Sequence, residues 1–137
     1  MCGLAGFWGS SVLSRDSLYQ MANSLSHRGP DDNGAWYDEA AQIGLAHSRL
    51  SILDPSPAGH QPMLSPCNRF VLVFNGEIYN HIELRQTLEK EGGAFNWRGH
   101  SDTETLLAAL RYWGIEQALI RLNGMFAFAL WDQEKRL

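Results

Sequence analysis

The chain has 137 residues, 45% of them hydrophobic and 19% charged, with a formal net charge of -4 and a pI near 5.7. That balance fits one globular domain with a buried core and excludes a disordered chain. No Lys/Arg cluster gives a basic footprint for nucleic acid, no basic leader precedes an apolar stretch, and no apolar run approaches the ~20 residues of a membrane span, so a soluble cytoplasmic protein is expected.

In chain order, Met1 to Gly9 mixes apolar residues with three glycines, as a buried first strand does where another backbone or a ligand comes close. Ser14 then caps a helix whose apolar positions are Leu18, Met21, Ala22 and Leu25, and Gly29-Pro30 stops it. "HRGPDDNG", residues 27 to 34, reads as one polar loop. Short apolar runs at Ala35 to Tyr37, Ile43 to Ala46 and Leu50 to Leu53 predict a β meander, followed by a Pro- and Gly-rich loop at 54 to 62. The clearest strand is Phe70 to Phe74, with Asn75-Gly76 ending it. Asn80 with Glu83 has the form of a capping box, Leu84 and Leu88 give the apolar spacing, and Gly92 supplies the C-terminal stop, so a helix is expected from His81 to Glu91. Ser101 with Glu104 repeats the device before Leu106, Leu107 and Leu110, Gly114 closes that helix, and Ile115 to Leu122 predicts a short further one. "MFAFALWD" reads as a strand apolar on both faces, which needs cover on both sides. A hairpin partner is expected after Asp132, and an apolar strand left at a sheet edge is a liability, so the chain reads as part of a longer polypeptide.

The chemistry starts at Cys2. A thiol in a half-apolar strand is ordinarily a small core residue. With Met1 removed, however, Cys2 would carry both a sulfur nucleophile (pKa ~8.5) and an α-amine (pKa ~8) able to accept its proton. Cys67, in a "SPCNR" loop, has no such amine, and two cysteines make no disulfide framework, so both read as thiols. Asn75-Gly76 is ordinarily a hairpin turn. Here the residues after it lead into a helix instead of mirroring the strand, and an Asn carboxamide beside a Gly N–H can form two donors for an oxyanion, with the Glu77 carboxylate adjacent. Arg49, inside an otherwise apolar run, either snorkels to the rim or clamps a carboxylate. Asp102, at a helix start, either complements the helix dipole or holds an ammonium. Histidines 27, 47, 60, 81 and 100 show no metal-ligand spacing. Together these groups suit an amino acid with an acyl side chain.

Seven motifs in order, "MCGLAGFW", "LSHRGPDDNG", "HSRLSILD", "GHQPM", "FNGEIYN", "GHSDTE" and "LNGMFAFALWD", resemble the class II glutamine amidotransferase domain, most nearly the N-terminal glutaminase domain of glutamine-hydrolysing asparagine synthetases. The resemblance covers essentially the whole chain. It implies an α+β fold of the N-terminal nucleophile hydrolase type, with four αββα layers and two antiparallel sheets, here C-terminally incomplete. It implies a single glutaminase domain over 1–137 that releases ammonia from glutamine, with Cys2 as nucleophile and its own α-amine as general base. Asn75 and the Gly76 N–H would form the oxyanion hole, and Arg49 would take the substrate α-carboxylate. Asp102 with Glu77 would hold the α-ammonium, and Leu50 and Ile52 would also touch substrate. No cofactor or metal is implied for this chain; ATP and Mg would serve only a synthetase domain, whose Ser-Gly-Gly phosphate loop is not found in the sequence. The implied partners are glutamine and a synthetase domain or subunit that accepts ammonia, with homodimer formation open. Two alternatives stand beside this one: the same domain serving a sugar or carboxylate acceptor, and a non-catalytic module that binds glutamine or docks on a partner.

Overall fold

The computed structural model describes residues 2–9, 13–92 and 95–137. Among the described residues, six strands and four α-helices form two antiparallel sheets with helices outside them. The first sheet holds β1 (Gly3–Trp8), β2 (Asp32–Asp38) and β3 (Ile43–Arg49) in the order β1-β3-β2. The second holds β4 (Met63–Leu64), β5 (Phe70–Ile78) and β6 (Gly124–Asp132) in the order β4-β5-β6. The helices are α1 (Arg15–Ser24), α2 (His81–Lys90), α3 (Asp102–Trp113) and α4 (Ile115–Arg121).

Side-chain alternation along the strands builds the layers. Ala46 of β3, with Phe7 and Ala35 beside it, packs against Leu18 and Ala22 of α1. Ile43 and Leu45, on the other face of the same strand, meet Val71, Val73 and Trp131 of the second sheet. The other apolar β5 residues, Phe70, Leu72, Phe74 and Ile78, pack on Leu84 and Leu88 of α2 and Leu106 and Leu110 of α3. The result is the expected four-layer αββα order, and it explains why Phe70 to Phe74 is continuously apolar: each face of β5 meets a different layer.

Helix ends follow the sequence in part. The Ser14 side chain accepts from the Ser17 N–H, and the Ser101 side chain accepts from the Glu104 N–H at 3.2 Å. Gly114 closes α3 with a φ of +79°. The expected Asn80–Glu83 box does not form. Asn80 turns away from its own helix, accepting from the Asn123 N–H at 2.9 Å and donating to the Arg121 carbonyl at 2.9 Å, and so pins the segment between α4 and β6.

Three further expectations are corrected. Leu50 to Leu53 is not a strand: the Leu50 N–H donates to the Cys2 sulfur and the Ser51 N–H to Asp31, and Ile52 is 73% exposed, so neither ladder bonds nor an apolar face are available. Asn75-Gly76 does not end β5. Asn75 pairs with Ala127 and Gly76 with Phe126, because β6 is long enough to carry the ladder to Ile78. Asp32 to Gly34, read as loop, belong to β2, where they pair with Arg49, Ser48 and His47. After Asp132 the chain turns, with Asp132 Oδ1 accepting from the Glu134 and Lys135 N–H groups. The Met1 end of the expected first strand lies outside the described residues. Among the described residues, no helix is long and apolar enough to cross a membrane.

Candidate active site

Where β1, β3, β5 and the start of α3 converge, a cavity of about 300 Å³ opens to solvent. All eight residues expected at the site line it: Cys2, Arg49, Leu50, Ile52, Asn75, Gly76, Glu77 and Asp102. The first sheet's register accounts for part of this. Gly3 pairs with Ser48, so Cys2, one residue before Gly3, stands beside the end of β3. The Leu50 N–H donates to the Cys2 sulfur at 3.3 Å, and the thiol lies 3.6 Å from the Leu50 carbonyl it can donate to. The Arg28 guanidinium donates to the Cys2 carbonyl at 3.0 Å. Cys2 and Cys67 are both free thiols.

Arg49 is 8% exposed and its guanidinium donates to two carbonyls of the following loop, Ser56 at 3.1 Å and Asp54. Gly59 packs on that guanidinium so closely that a Cβ there would strike Nη2. Asp54 is also buried. Its carboxylate accepts from the Ser56 N–H at 2.9 Å and the His100 N–H at 2.7 Å, and the bonds from Ser56 and then His100 hold its carboxyl below the usual range. The carboxylate thereby ties the Arg49 loop to the segment that enters α3.

Asp102, 5% exposed, is the first residue of α3. Its Oδ2 accepts from the Ile78 N–H at 3.0 Å and its Oδ1 from the Thr103 N–H at 2.8 Å. Burial outweighs these bonds and pushes its carboxyl above the ordinary carboxylate range, so a cation beside it would be favoured. Glu77 is exposed on the rim, and Asn75 and Gly76 lie between it and the core of β5. Gly76 has a φ of +154° and its missing Cβ would meet Phe126 Cα at 2.5 Å, so glycine is required for the backbone to pass here. One concavity thus holds a thiol, a guanidinium and three carboxylates, those of Asp54, Glu77 and Asp102. Among the described residues, no group of three or more His, Cys, Asp or Glu side chains could hold a metal ion.

Several residues that support this wall were given no role from the sequence: the buried Asp54, Gln61 and Thr103, and the half-buried Arg28. Gln61 links two elements of the cavity, accepting from the Phe74 N–H at 2.6 Å and donating to Thr103 Oγ1 at 3.3 Å. Gln61 lies within the "GHQPM" motif, but the motif says nothing of a partner in β5, and a polar residue inside a Pro-rich loop predicts none.

Residues 1–137 match the family model described as a glutamine amidotransferase domain. Asparagine synthetase [glutamine-hydrolyzing] 1 from Bacillus subtilis is 41% identical over 138 residues, covering 97% of this chain and 21% of the relative. Amidase chry2 from Gibberella zeae is 34% identical over 148 residues, covering 99% of this chain and 22% of the relative. The chain therefore spans about a fifth of the length of the curated relatives it matches. A solved structure of glutamine phosphoribosylpyrophosphate amidotransferase from B. subtilis has a TM-score of 0.74 over 95% of this chain and 35% of that one. At 21% identity that likeness shows the fold alone.

Proposed function

Because the chain belongs to the glutamine amidotransferase domain family, we propose that the cavity hydrolyses glutamine to glutamate and ammonia with Cys2 as nucleophile. The observation that carries this reading is the gathering of Cys2, Arg49, Asn75, Gly76, Glu77 and Asp102 around one cavity from positions spread over a hundred residues of sequence. Arg49 takes the substrate α-carboxylate, a bidentate match for a guanidinium. Asp102, with Glu77 at the rim, takes the α-ammonium. The side-chain amide then lies toward Cys2 and the Asn75-Gly76 pair.

Once Met1 is cleaved, the α-amine of Cys2 accepts the thiol proton and the sulfur adds to the amide carbon. Asn75 and the Gly76 N–H donate to the oxyanion that forms. The amine returns its proton to the leaving nitrogen, the C–N bond breaks, and ammonia departs from a γ-glutamyl thioester. Water adds to the thioester, the C–S bond breaks, and glutamate and the thiol are restored. The cycle balances with glutamine and water alone.

Ammonia of this origin serves an amidation carried out by a synthetase domain or subunit, which the fivefold greater length of the relatives accommodates. The relative named a glutamine-hydrolysing asparagine synthetase supports an asparagine-synthetase-type amidation. A second reading, another acceptor served by the same domain, is favoured by the 34% identity to a protein named an amidase.

Intact mass before and after 6-diazo-5-oxo-norleucine, a glutamine analogue that alkylates such nucleophiles, tests the reading. The expected result is loss of Met1 and one adduct on Cys2. A retained Met1, or an unmodified Cys2 in a folded protein, overturns it.

A further inference from the structure

β5 is nine residues long and its neighbour β4 only two, so among the described residues most of one edge of β5 has no main-chain partner on that side. In an antiparallel strand a residue's N–H and C=O point to the same side, and the side alternates. The Ser65 N–H donates to the Phe70 carbonyl at 2.9 Å, and the Phe70 N–H donates to Ser65 Oγ at 3.0 Å. By alternation Leu72, Phe74, Gly76 and Ile78 turn their main-chain groups to that same side.

Extending the register that pairs Met63 with Leu72 would put Gln61 opposite Phe74, but β4 begins only at Met63. Side chains take the place of the missing strand. The Phe74 N–H donates to Gln61 Oε1 at 2.6 Å, His47 Nε2 donates to the Phe74 carbonyl at 2.9 Å, and the Ile78 N–H donates to Asp102 Oδ2 at 3.0 Å. Gly76, between Phe74 and Ile78 on this edge, lines the cavity.

We propose that Gln61 and His47 are positioning residues for the oxyanion-binding segment, fixing the two peptide planes on either side of Phe74 and so aiming Asn75 and Gly76. The inference rests on the reading of Asn75 and Gly76 as oxyanion donors. Both side chains are almost wholly buried, Gln61 at 5% and His47 at 1% exposure, so neither bond competes with water. A carbonyl can only accept, so His47 Nε2 carries the proton. Burial holds the imidazole pKa down at about 4, which keeps it a neutral donor near pH 7 and not a base. Its Nδ1 is buried without a hydrogen-bond partner among the described residues, so the ring is held by the Phe74 bond and its packing alone. Gln61 has the further contact to Thr103, next to Asp102, and thereby couples the oxyanion strand to the ammonium-binding end of α3.

The test compares Gln61→Met, which keeps volume but removes the acceptor, with His47→Gln, which keeps a donor. For Gln61→Met the expected result is a fall in kcat of about 10- to 100-fold with KM for glutamine within about twofold. The γ-aldehyde analogue of glutamine, which forms a tetrahedral adduct with a thiol, should bind more weakly by the same factor, while glutamate binds as before. His47→Gln should retain kcat within about threefold, whereas His47→Leu loses as much as Gln61→Met. Unchanged kcat in Gln61→Met, or equal weakening of aldehyde and glutamate, overturns the inference. Should Gln61→Met not fold, His47→Leu against His47→Gln makes the same comparison, and equal kcat in that pair overturns it. A wild-type protein with no Cys2-dependent hydrolysis overturns the underlying reading as well, and is distinguished by that control.

Discussion

The Ile78 N–H donates to Asp102 Oδ2 at 3.0 Å, so one carboxylate joins the end of β5 to the first turn of α3. Its other oxygen caps its own helix through the Thr103 N–H at 2.8 Å. Both oxygens are thus fixed in a buried wall of the cavity, and in the proposed function this is the carboxylate that meets the substrate ammonium.

Asp102→Asn keeps the shape and removes the charge, and its amide nitrogen must face one of the two N–H donors. Glutamine KM should rise by about 10- to 100-fold, with a smaller effect on kcat. The pH dependence follows from burial, which raises the Asp102 pKa above 3.8. As pH falls toward the raised value the carboxylate is neutralised while an ordinary carboxylate stays ionised, so wild-type KM should climb on the acid side sooner than an unperturbed Asp would allow. Steady-state kinetics across pH check both points, and a KM unchanged in Asp102→Asn contradicts the assignment.

Gly76→Ala tests the backbone of the same strand. At a φ of +154°, with the Met125 carbonyl and Phe126 Cα in the way, an added methyl forces β5 and β6 apart. A loss of about 2–4 kcal/mol in stability is expected, together with a fall in kcat. Gly92→Ala is the control, since its φ of +94° adds strain but its Cβ meets nothing within 4 Å. Thermal unfolding of the two variants should show the larger drop for Gly76→Ala.

Asp132 anchors the far end of the second sheet. Arg69 Nε and Nη2 donate to its two oxygens at 3.0 and 2.6 Å, and these bonds are the main reason its pKa is lowered to about 2. A depressed carboxyl contributes stability that is complete above its unfolded pKa of 3.8 and fades as pH falls toward about 2. Asp132→Ala should therefore cost about 1–3 kcal/mol at pH 7 and progressively less below 3.8. Urea unfolding at several pH values reads this directly; a cost that does not shrink in acid contradicts it.

Much of the site was legible because each motif pairs a chemistry with a local signal. Cys2 sits at the chain start, Arg49 in an apolar run, Asp102 behind a helix cap, and Asn75-Gly76 after an apolar strand, and the structure brings all of them to one cavity. The layer assignment of β5 was legible from its unbroken apolar run. What escaped was whatever depends on pairing between distant segments. Nothing local shows that β6 carries the ladder past Asn75-Gly76, that Leu50 gives its N–H to Cys2, or that Asn80 bonds across to Asn123 instead of capping its own helix. Gln61 and His47 lie in the "GHQPM" and "HSRLSILD" motifs, but their role was hidden for the same reason: their partner, the Phe74 main chain, is 13 and 27 residues away.

The most direct measurement of the central claim is glutamate and ammonia release from glutamine by the wild-type protein and by Cys2→Ala. Equimolar release is expected from the wild type and none above background from Cys2→Ala, with glutamine binding by the variant retained. Turnover that survives in Cys2→Ala would place the nucleophile elsewhere and contradict hydrolysis by Cys2.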